Sequence, residues 1–365
     1  MKQKQKKEVV KEKKEKVLGS LTDLGTRMYD QINRRQFPWI KMPSRSTNNI
    51  LYDDKTRQYI LGDKNVKRSS RNIRHLRPLT QLVWTASFAD ELTHQRKTST
   101  LRDVFYSAQA YEMDFVDQPE SDNIITDLET VVGFPREDFN IFPEERSAIF
   151  GNLTIQYTIP GYEGKKLNLA SHPDGMMIGP ALTNAEFVDC KANKIIAIEK
   201  GALFTRFVEE RVHDRFKAIL IQTAGQAPRG TRAFIRRLSQ ELKLPVVIFT
   251  DGDPWGMHIA MVIIGGSANA AHLRDLNTPD AKWAGVWATD IVDYKLPSSK
   301  LSDLDVKRLY ELQKDPRYHG KLWKREIETF LKIRKKAEQE AFSRYGLTYI
   351  VDEYLPAKLE AAEDL

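Results

Sequence analysis

Two acidic residues directly follow a strongly apolar run in the segment VVIFTDGDPWG, residues 246–256. The apolar run, Val246–Phe249, is mostly β-branched and is typical of a strand buried on both faces of a parallel sheet. Asp251 and Asp253, separated by glycine and followed by Pro254, favour a tight turn into a helix. Open α/β sheets bind ligands at the carboxyl edge of their strands, and paired carboxylates suit Mg²⁺. A solvated Asp-Gly turn without a metal explains the segment equally well, so other parts of the chain have to decide.

The region around this turn alternates between strand and helix patterns, which predicts a parallel sheet with right-handed crossovers. Glu199 ends the first predicted strand, so we expect it at the same edge of the sheet as Asp251 and Asp253. Three converging carboxylates are a more specific signal for a metal site than one pair. The predicted strands are 194–198, 218–221 and 246–249, and the predicted helices are 203–216 and 231–242.

Residues 74–157 show a different pattern, in which three amphipathic helical segments precede short strand-like runs. This order favours a winged helix-turn-helix, a module that docks on DNA, although an ordinary bundle of three helices is the alternative. A basic turn after the first helix contains His94, Arg96 and Lys97, which we regard as candidate DNA contacts. The predicted helices are 75–92, a second that begins at residue 99 or 100, and 121–132, and the predicted strands lie at 139–142, 151–155 and near 157.

The composition excludes several classes of protein. The 365 residues carry a formal net charge of +7, but residues 1–17 alone contain eight Lys and three Glu. This lysine-rich segment is predicted to be a solvated tail, and any nucleic-acid surface elsewhere has to be a local cluster. The single Cys190 excludes intramolecular disulfides and a cysteine-based zinc site. Without a signal-peptide pattern or an apolar run of roughly 18 residues, a cytoplasmic protein with no membrane segment is expected.

Several segments of the chain, roughly from Pro43 to Leu359, resemble the family of the topoisomerase VI A subunits, which also includes the meiotic double-strand-break transesterases. The resemblance implies a fold that is α/β plus α+β. A basic tail and arm (1–73) would precede a winged helix-turn-helix (CAP-like) domain (74–157) and a Toprim Rossmann-like parallel-sheet domain (158–365). The segments that carry the resemblance are SRSTNNILYD, TLRDVFYS, ESDNIITDLETVVGFPRED, IEKGALF, PRGTRAFIRRL, TDGDPWG and DEYLPAKL.

The TLRDVFYS segment implies a tyrosine nucleophile. Family members more often have Tyr where Phe105 stands, which leaves Tyr106 as the candidate in this pair. A free phenol has a pKa of about 10, so it needs a nearby cation or metal to react at neutral pH. Arg102 lies one helical turn earlier on the same face and would bind the phosphate or stabilise the phenolate. Taken alone, Tyr106 is an ordinary half-buried aromatic residue and Arg102 an ordinary surface arginine.

The resemblance also implies that Glu199, Asp251 and Asp253 bind Mg²⁺, and Glu199 is a candidate general acid for the leaving oxygen. Arg229 and Arg232 flank the second helix of the Toprim segment. They are either candidate DNA contacts or part of the solvent-exposed face of that helix.

The implied function is that of the DNA-cleaving component of an ATP-dependent type IIB topoisomerase, an isomerase. Tyr106 would attack double-stranded DNA and form a 5′-phosphotyrosyl link. The chain contains neither GxxxxGK[ST] nor GxGxxG, and the family combines a homodimer of A subunits with GHKL-type ATPase B subunits in an A₂B₂ assembly, mostly in archaea. The alternatives are a Toprim nuclease or primase, a non-enzymatic winged-helix regulator, and a break-forming protein without strand passage.

Overall fold

The computed structural model describes the backbone of residues 2–363 and the side chains of residues 12–362. The chain forms two compact units. The first contains the residues up to Leu51, Ile60–Glu144 and Ala268–Leu273, and the second contains Tyr52–Tyr59, Glu145–Ser267 and the residues from Arg274 onward. Within the described residues, no helix combines the length and the apolar character that crossing a membrane requires.

The first unit is mainly helical, and its core is made by one apolar face of each helix. Leu82, Val104, Ile125 and Leu128 are fully buried there, at spacings that the period of an α-helix explains. Up to residue 144 the elements are α1 Lys2–Asn33, β1 Trp39–Pro43, β2 Ile50–Asp53, β3 Gln58–Leu61, β4 Asn65–Ser69, α2 Ile73–Gln95, β5 Ser99–Thr100, α3 Leu101–Ala110, α4 Gln118–Val132 and β6 Ile141–Phe142. Strand β1 pairs with β4 antiparallel, and β5 pairs with β6 in parallel.

The ends of α3 and α4 follow from the residues at their caps. The hydroxyl of Thr100 accepts a 3.0 Å hydrogen bond from the backbone N–H of Asp103, as expected for an N-cap. The Asp103 carboxylate accepts a 2.7 Å hydrogen bond from the Ser99 hydroxyl. Helix α4 is followed by Gly133 at φ 77°, the left-handed conformation predicted for a C-terminal stop.

Helix α1 differs from the prediction of a solvated tail followed by a helix over 17–37, because its backbone is helical from Lys2 to Asn33. The side chains of residues 2–11, which carry half of the lysines of this segment, lie outside the described side chains. Val17, Leu21 and Leu24 are buried in the core of the first unit. This apolar stripe at helical spacing explains why the helix packs on that unit.

The second unit is built around a six-stranded sheet with the strand order β10-β7-β13-β12-β14-β15. The four strands from β13 to β15 are parallel, and the edge pair is antiparallel. Its elements are β7 Ala148–Phe150, β8 Leu153–Gln156, β9 Lys166–Asn168, β10 Met176–Met177, α5 Pro180–Thr183, β11 Glu186–Cys190, β12 Lys194–Ile198, α6 Gly201–Glu209, α7 Val212–Arg215, β13 Ala218–Gln222, α8 Arg229–Leu242, β14 Val246–Phe249, α9 Pro254–Gly265, β15 Lys282–Gly285, α10 Ala288–Asp293, β16 Ser299–Lys300, α11 Asp303–Lys314, α12 Lys321–Ile333, β17 Lys335–Lys336 and α13 Leu355–Glu363.

The predicted domain boundary at residue 157 is too late. Strand β7 pairs antiparallel with β13 in the large sheet, and β8 lies between β11 and β9 in a three-stranded sheet of the same unit. These strands were predicted to form a wing on the first domain. The apolar pattern identified them as strands, but the choice of pairing partner depends on contacts about 70 residues away along the chain.

The predicted helices after residue 322 also need correction. Helices were expected over 323–336 and 336–345, whereas α12 ends at Ile333 and Arg334 takes the left-handed conformation at φ 54°. The backbone is then extended through β17, and a 3₁₀ helix follows at Gln339–Tyr345. Within this extended stretch Ala337 pairs with Gly252, which brings it to the carboxyl edge of the sheet.

Candidate metal site and candidate nucleophile

Glu199 and Asp251 lie side by side at the carboxyl edge of the sheet. Strands β12 and β14 are parallel neighbours with Ile198 opposite Phe249, so the residues that follow them leave the sheet at the same edge. The backbone N–H of Asp251 donates a 2.9 Å hydrogen bond to Oε2 of Glu199. The structure therefore brings together these two of the three predicted carboxylates.

Two glycines shape the turn that carries Asp251 and Asp253. A Cβ at Gly252 would lie 3.1 Å from the carbonyl oxygen of Ala337, and a Cβ at Gly256 would lie 2.2 Å from the carbonyl oxygen of Asp251. No side chain fits at Gly256 unless the turn moves. Asp253 is the N-cap of α9, and its Oδ1 accepts a 2.6 Å hydrogen bond from the N–H of Gly256. The spacing DGDPWG is thus the local requirement of this strand-turn-helix.

The pKa values of all three carboxyl groups are raised. Burial and then the negative charge of Asp251 raise the pKa of Glu199 to about 7. Burial raises the pKa of Asp251 to about 6 and also raises the pKa of Asp253 above its ordinary value. Desolvation and neighbouring like charges both disfavour an ionised carboxylate. A cation at this edge would stabilise the ionised forms, so the charge balance of the site suits a metal ion.

A lysine and two glutamates that sequence reasoning missed complete this edge. Nζ of Lys200 lies 3.1 Å from carboxylate oxygens of Asp251 and Glu340, and it also forms an ion pair with Glu338. Partial burial alone would lower the pKa of Lys200, but the surrounding carboxylates outweigh burial and raise that pKa above its ordinary value. The Lys200 ammonium group therefore supplies positive charge among these carboxylates.

The closest set of carboxylate oxygens differs from the predicted triad. Oxygen atoms of Asp251, Glu338 and Glu340 all lie within 4.8 Å of one another. Asp251 alone is common to this set and to the predicted ligands, while Glu199 reaches the set through the Asp251 amide. The backbone N–H of Gln339 donates a 2.9 Å hydrogen bond to Oδ1 of Asp251, which places the two glutamates at the edge. Five carboxylates thus lie on or beside this turn.

Tyr106 presents its hydroxyl to solvent on α3. Its residue surface is 51% exposed, whereas the preceding Phe105 packs against the core of the first unit. The guanidinium carbon of Arg102 lies 5.7 Å from the centroid of the Tyr106 ring. A hydrogen bond with Tyr106 raises the pKa of Arg102 above its ordinary value. The structure therefore has an accessible phenol with a cation one helical turn away.

The predicted basic turn after α2 is exposed. His94, Arg96 and Lys97 are all solvent-accessible, and Arg96 takes the left-handed conformation that ends the helix. His94 lies 3.2 Å from a carboxylate oxygen of Asp90. Partial burial and then the charge of Arg96 lower the pKa of Lys14, so this lysine adds to the same basic patch.

The two arginines of α8 are less accessible than predicted. Arg232 is only 5% exposed, so neither a surface contact with DNA nor a place on the solvent face of α8 describes it. Arg229, at the start of the helix, is half-buried. The helical pattern was correct, but the packing of α8 against the sheet places Arg232 on its inner face.

Comparison with known proteins is consistent across the chain. Residues 194–359 match the family model for the Toprim domain of the topoisomerase 6 A subunit and Spo11, and residues 77–141 match the family model described as type IIB DNA topoisomerase. The A subunit of type 2 DNA topoisomerase 6 from Methanothermobacter thermautotrophicus is 45% identical over 354 residues, which cover 96% of this chain and 99% of that relative. The proteins of the same name are 36% identical in Archaeoglobus fulgidus, over 96% of this chain and 98% of the relative, and 36% identical in Haloarcula marismortui, over 93% and 94%. The chain therefore belongs to the family of the type 2 DNA topoisomerase 6 A subunits, within the type IIB DNA topoisomerases.

Proposed function

We propose that this chain is the DNA-cleaving subunit of an ATP-dependent type IIB topoisomerase and that Tyr106 is its nucleophile. The observation that carries the proposal is the exposed Tyr106 hydroxyl beside Arg102, in a chain whose other unit bears an acidic edge. The relatives are named type 2 DNA topoisomerases, which supports double-stranded DNA as the substrate.

The proposed reaction is a transesterification. The Tyr106 oxygen forms a bond to phosphorus while the bond from phosphorus to the 3′ oxygen breaks, which leaves a 5′-phosphotyrosyl ester. The phenol loses its proton to solvent, and the positive charge of Arg102 stabilises the phenolate and the phosphate. The leaving 3′ oxygen takes up a proton, for which Glu199 is the proposed donor because its raised pKa keeps part of it protonated near pH 7. Reversal of these steps reseals the strand.

Glu199, Asp251 and Asp253 are the proposed residues that hold Mg²⁺, and the chemistry of the site fits this ion. The donors are carboxylate oxygens, the ligands that Mg²⁺ prefers, and their raised pKa values mean that added positive charge would stabilise them. When bound, the ion would neutralise phosphate charge and stabilise the leaving oxygen. Glu338 and Glu340 are additional carboxylates within reach of the same ion.

The assembly that we propose has two copies of this chain and two copies of a GHKL-type ATPase subunit. Tyr106 lies on the first unit and the acidic residues on the second, so the tyrosine of one protomer can serve the acidic edge of its partner. The relatives are each named as one lettered component of topoisomerase 6, which supports a separate partner chain for ATP hydrolysis. We assign α2, α3 and α4 to a winged helix-turn-helix, with His94, Arg96 and Lys97 as phosphate contacts.

A relaxation assay tests the proposal. The full-length chain, combined with its ATPase partner, ATP and Mg²⁺, is expected to relax supercoiled plasmid and to leave a covalent adduct with DNA when the reaction is stopped with detergent. Tyr106→Phe should abolish both results, whereas Tyr111→Phe, a change at another exposed tyrosine near the end of α3, should preserve them. Cleavage that survives Tyr106→Phe would indicate a nuclease that uses water. Breaks with a covalent link but no relaxation would indicate a break-forming protein without strand passage.

A further inference from the structure

Trp255 is an exposed aromatic residue directly beside the acidic turn. It follows Asp253 by two residues, in the first turn of α9, and 47% of its surface is exposed. It is the most exposed of the six tryptophans in the chain, whereas Trp283, in the same unit, is 1% exposed. A large indole left in water forgoes the free energy of burial, so its position calls for an explanation.

The indole is held in one orientation by the neighbouring helix α11. Its Nε1–H donates a 3.2 Å hydrogen bond to Oδ1 of Asp305, a residue that is only 2% exposed. The guanidinium carbon of Arg308 lies 5.2 Å from the centroid of the Trp255 ring. Asp305 is itself fixed, because it accepts hydrogen bonds from the N–H of Ser302 at 2.9 Å and from Nζ of Lys336 at 2.8 Å. The polar edge of the indole is therefore satisfied, and the exposed remainder is apolar and preorganised.

The same contacts connect Trp255 to the acidic edge. Lys336, which binds Asp305, directly precedes Ala337, and Ala337 forms two backbone hydrogen bonds with Gly252 at 2.8 and 3.0 Å. Trp255 and the carboxylates are therefore parts of one connected structure. A phosphate bound at the acidic edge would bring its own nucleotide next to the indole.

The chemistry of the surface indicates a nucleotide as its ligand. An exposed aromatic face flanked by cations, here Arg308 and Lys336, is the combination that proteins use to bind bases and phosphates together. Stacking on an aromatic ring tolerates any base, because every base has a π face. A topoisomerase that cleaves DNA at many sequences would require this tolerance.

We propose that Trp255 stacks on the nucleotide that carries the 3′-hydroxyl at the DNA break and holds this end in place for resealing. This inference rests on the proposed function, in which the acidic edge serves the leaving 3′ oxygen. Once the strand is broken, the terminal base has lost its covalent connection to the next nucleotide, and the indole supplies a replacement stacking surface. Trp255 is thus a positioning residue that sets how long and how accurately the 3′ end is retained.

Binding of a broken duplex tests this proposal separately from cleavage. The complex with the ATPase partner, carrying Tyr106→Phe so that it cannot react, is titrated with a duplex that contains a nick with a 3′-hydroxyl end. Trp255→Ala is expected to weaken this binding by roughly 5- to 150-fold, the range for the loss of one base–aromatic stack. Trp255→Phe should restore most of the affinity, and Leu304→Ala, a change at an exposed apolar residue of α11, should leave it unchanged.

Three outcomes would overturn the proposal. The first is equal affinity of Trp255→Ala and the parent protein for the nicked duplex, and the second is a loss of affinity that Trp255→Phe does not restore. The third is loss of the ATPase partner from Trp255→Ala with unchanged DNA binding, which would assign the indole to a protein contact. In parallel, the protein with Tyr106 intact is tested for the covalent adduct. Absence of that adduct contradicts the proposed function, whichever result the binding titration gives.

Discussion

The backbone N–H of Asp251 donates a hydrogen bond to the side chain of Glu199, so the ends of two neighbouring strands are joined through one carboxylate. The bond lowers the pKa of Glu199, but burial and the charge of Asp251 outweigh it, and the pKa is raised to about 7. A backbone donor holds Glu199 in place whether or not it is ionised. The position of this side chain is therefore fixed, while its charge depends on pH and on bound cations.

The raised pKa of Glu199 predicts that stability depends on pH in the absence of metal. Because the folded-state pKa of about 7 exceeds the ordinary value of 4.5, the folded state holds the proton more tightly than the unfolded state. The contribution of this group is fully present below pH 4.5 and is lost as the pH rises through about 7. We therefore expect the stabilisation by Mg²⁺ to be larger at pH 8 than at pH 5, measured as the shift in thermal unfolding temperature between Mg²⁺ and EDTA.

Glu199→Gln provides the comparison for this pH dependence, since glutamine keeps the shape and the acceptor oxygen but does not titrate. The variant should show a smaller difference between pH 5 and pH 8 in EDTA. It should also lose most DNA cleavage while retaining DNA binding. An unchanged pH dependence together with full cleavage would contradict both the electrostatic account of Glu199 and its proposed role in the reaction.

Lys200 is predicted to compete with the metal ion for the same carboxylates. Lys200→Met removes the ammonium group from Asp251, Glu338 and Glu340, so the metal-free protein should lose about 1 kcal/mol of stability. The carboxylates then gain more from a bound cation, and titration calorimetry should show tighter binding of Mg²⁺ or Mn²⁺. Lys194→Met, at the opposite end of β12, should change neither quantity. Weaker metal binding in Lys200→Met would show that the lysine organises the site instead of competing for it.

The acidic edge was partly predictable from the sequence. The bounds of β12 and β14 were predicted correctly from their apolar runs, and a parallel sheet then requires Glu199 and Asp251 to meet. Tyr106 and Arg102 were found from a motif and from the period of a helix. In each case the information is local, or it follows from a general rule about parallel strands.

Other parts of the site could not be predicted because they depend on contacts distant in sequence. Glu338 and Glu340 reach Asp251 only because Ala337 pairs with Gly252, and charged residues in that stretch fit a surface helix equally well. The burial of Arg232 depends on how α8 packs on the sheet. The membership of β7 in the large sheet similarly depends on β13, which no local pattern encodes.

Arg102 is predicted to affect cleavage more than DNA binding. Arg102→Ala should reduce the rate of covalent adduct formation by roughly 10²- to 10³-fold, the usual effect of losing a charge that stabilises a transition state. Arg102→Lys keeps the charge but loses the planar donor geometry, so it should be intermediate. Single-turnover cleavage at saturating DNA measures the rate, and binding is measured in the Tyr106→Phe background. Equal losses of affinity and rate would instead make Arg102 a general DNA contact.

A buried ion network in the first unit is predicted to be critical for stability. The guanidinium group of Arg136 donates hydrogen bonds to both carboxylate oxygens of Glu129, at 3.1 and 2.9 Å, and the His272 ring lies 3.1 Å from the same carboxylate. Glu129 is 1% exposed, so Arg136→Met would leave a buried charge poorly compensated and should cost about 3–5 kcal/mol in urea unfolding. Lys13→Met breaks the more exposed ion pair with Asp138 and should cost less than about 1 kcal/mol. Similar losses in the two variants would contradict this ranking.

The basic turn after α2 makes a prediction about the dependence of DNA binding on salt. If Arg96 contacts a phosphate, Arg96→Gln should reduce the slope of log affinity against log salt by about one unit, because one counterion fewer is released on binding. The substitution should weaken binding to unrelated duplex sequences by similar factors, since phosphate contacts carry no direct sequence information. Lys243→Gln, at the exposed end of α8 just before β14, is the matched control, because it lies at the edge of the sheet opposite the carboxylates. A slope that changes in Lys243→Gln but not in Arg96→Gln would move the DNA-binding surface away from α2.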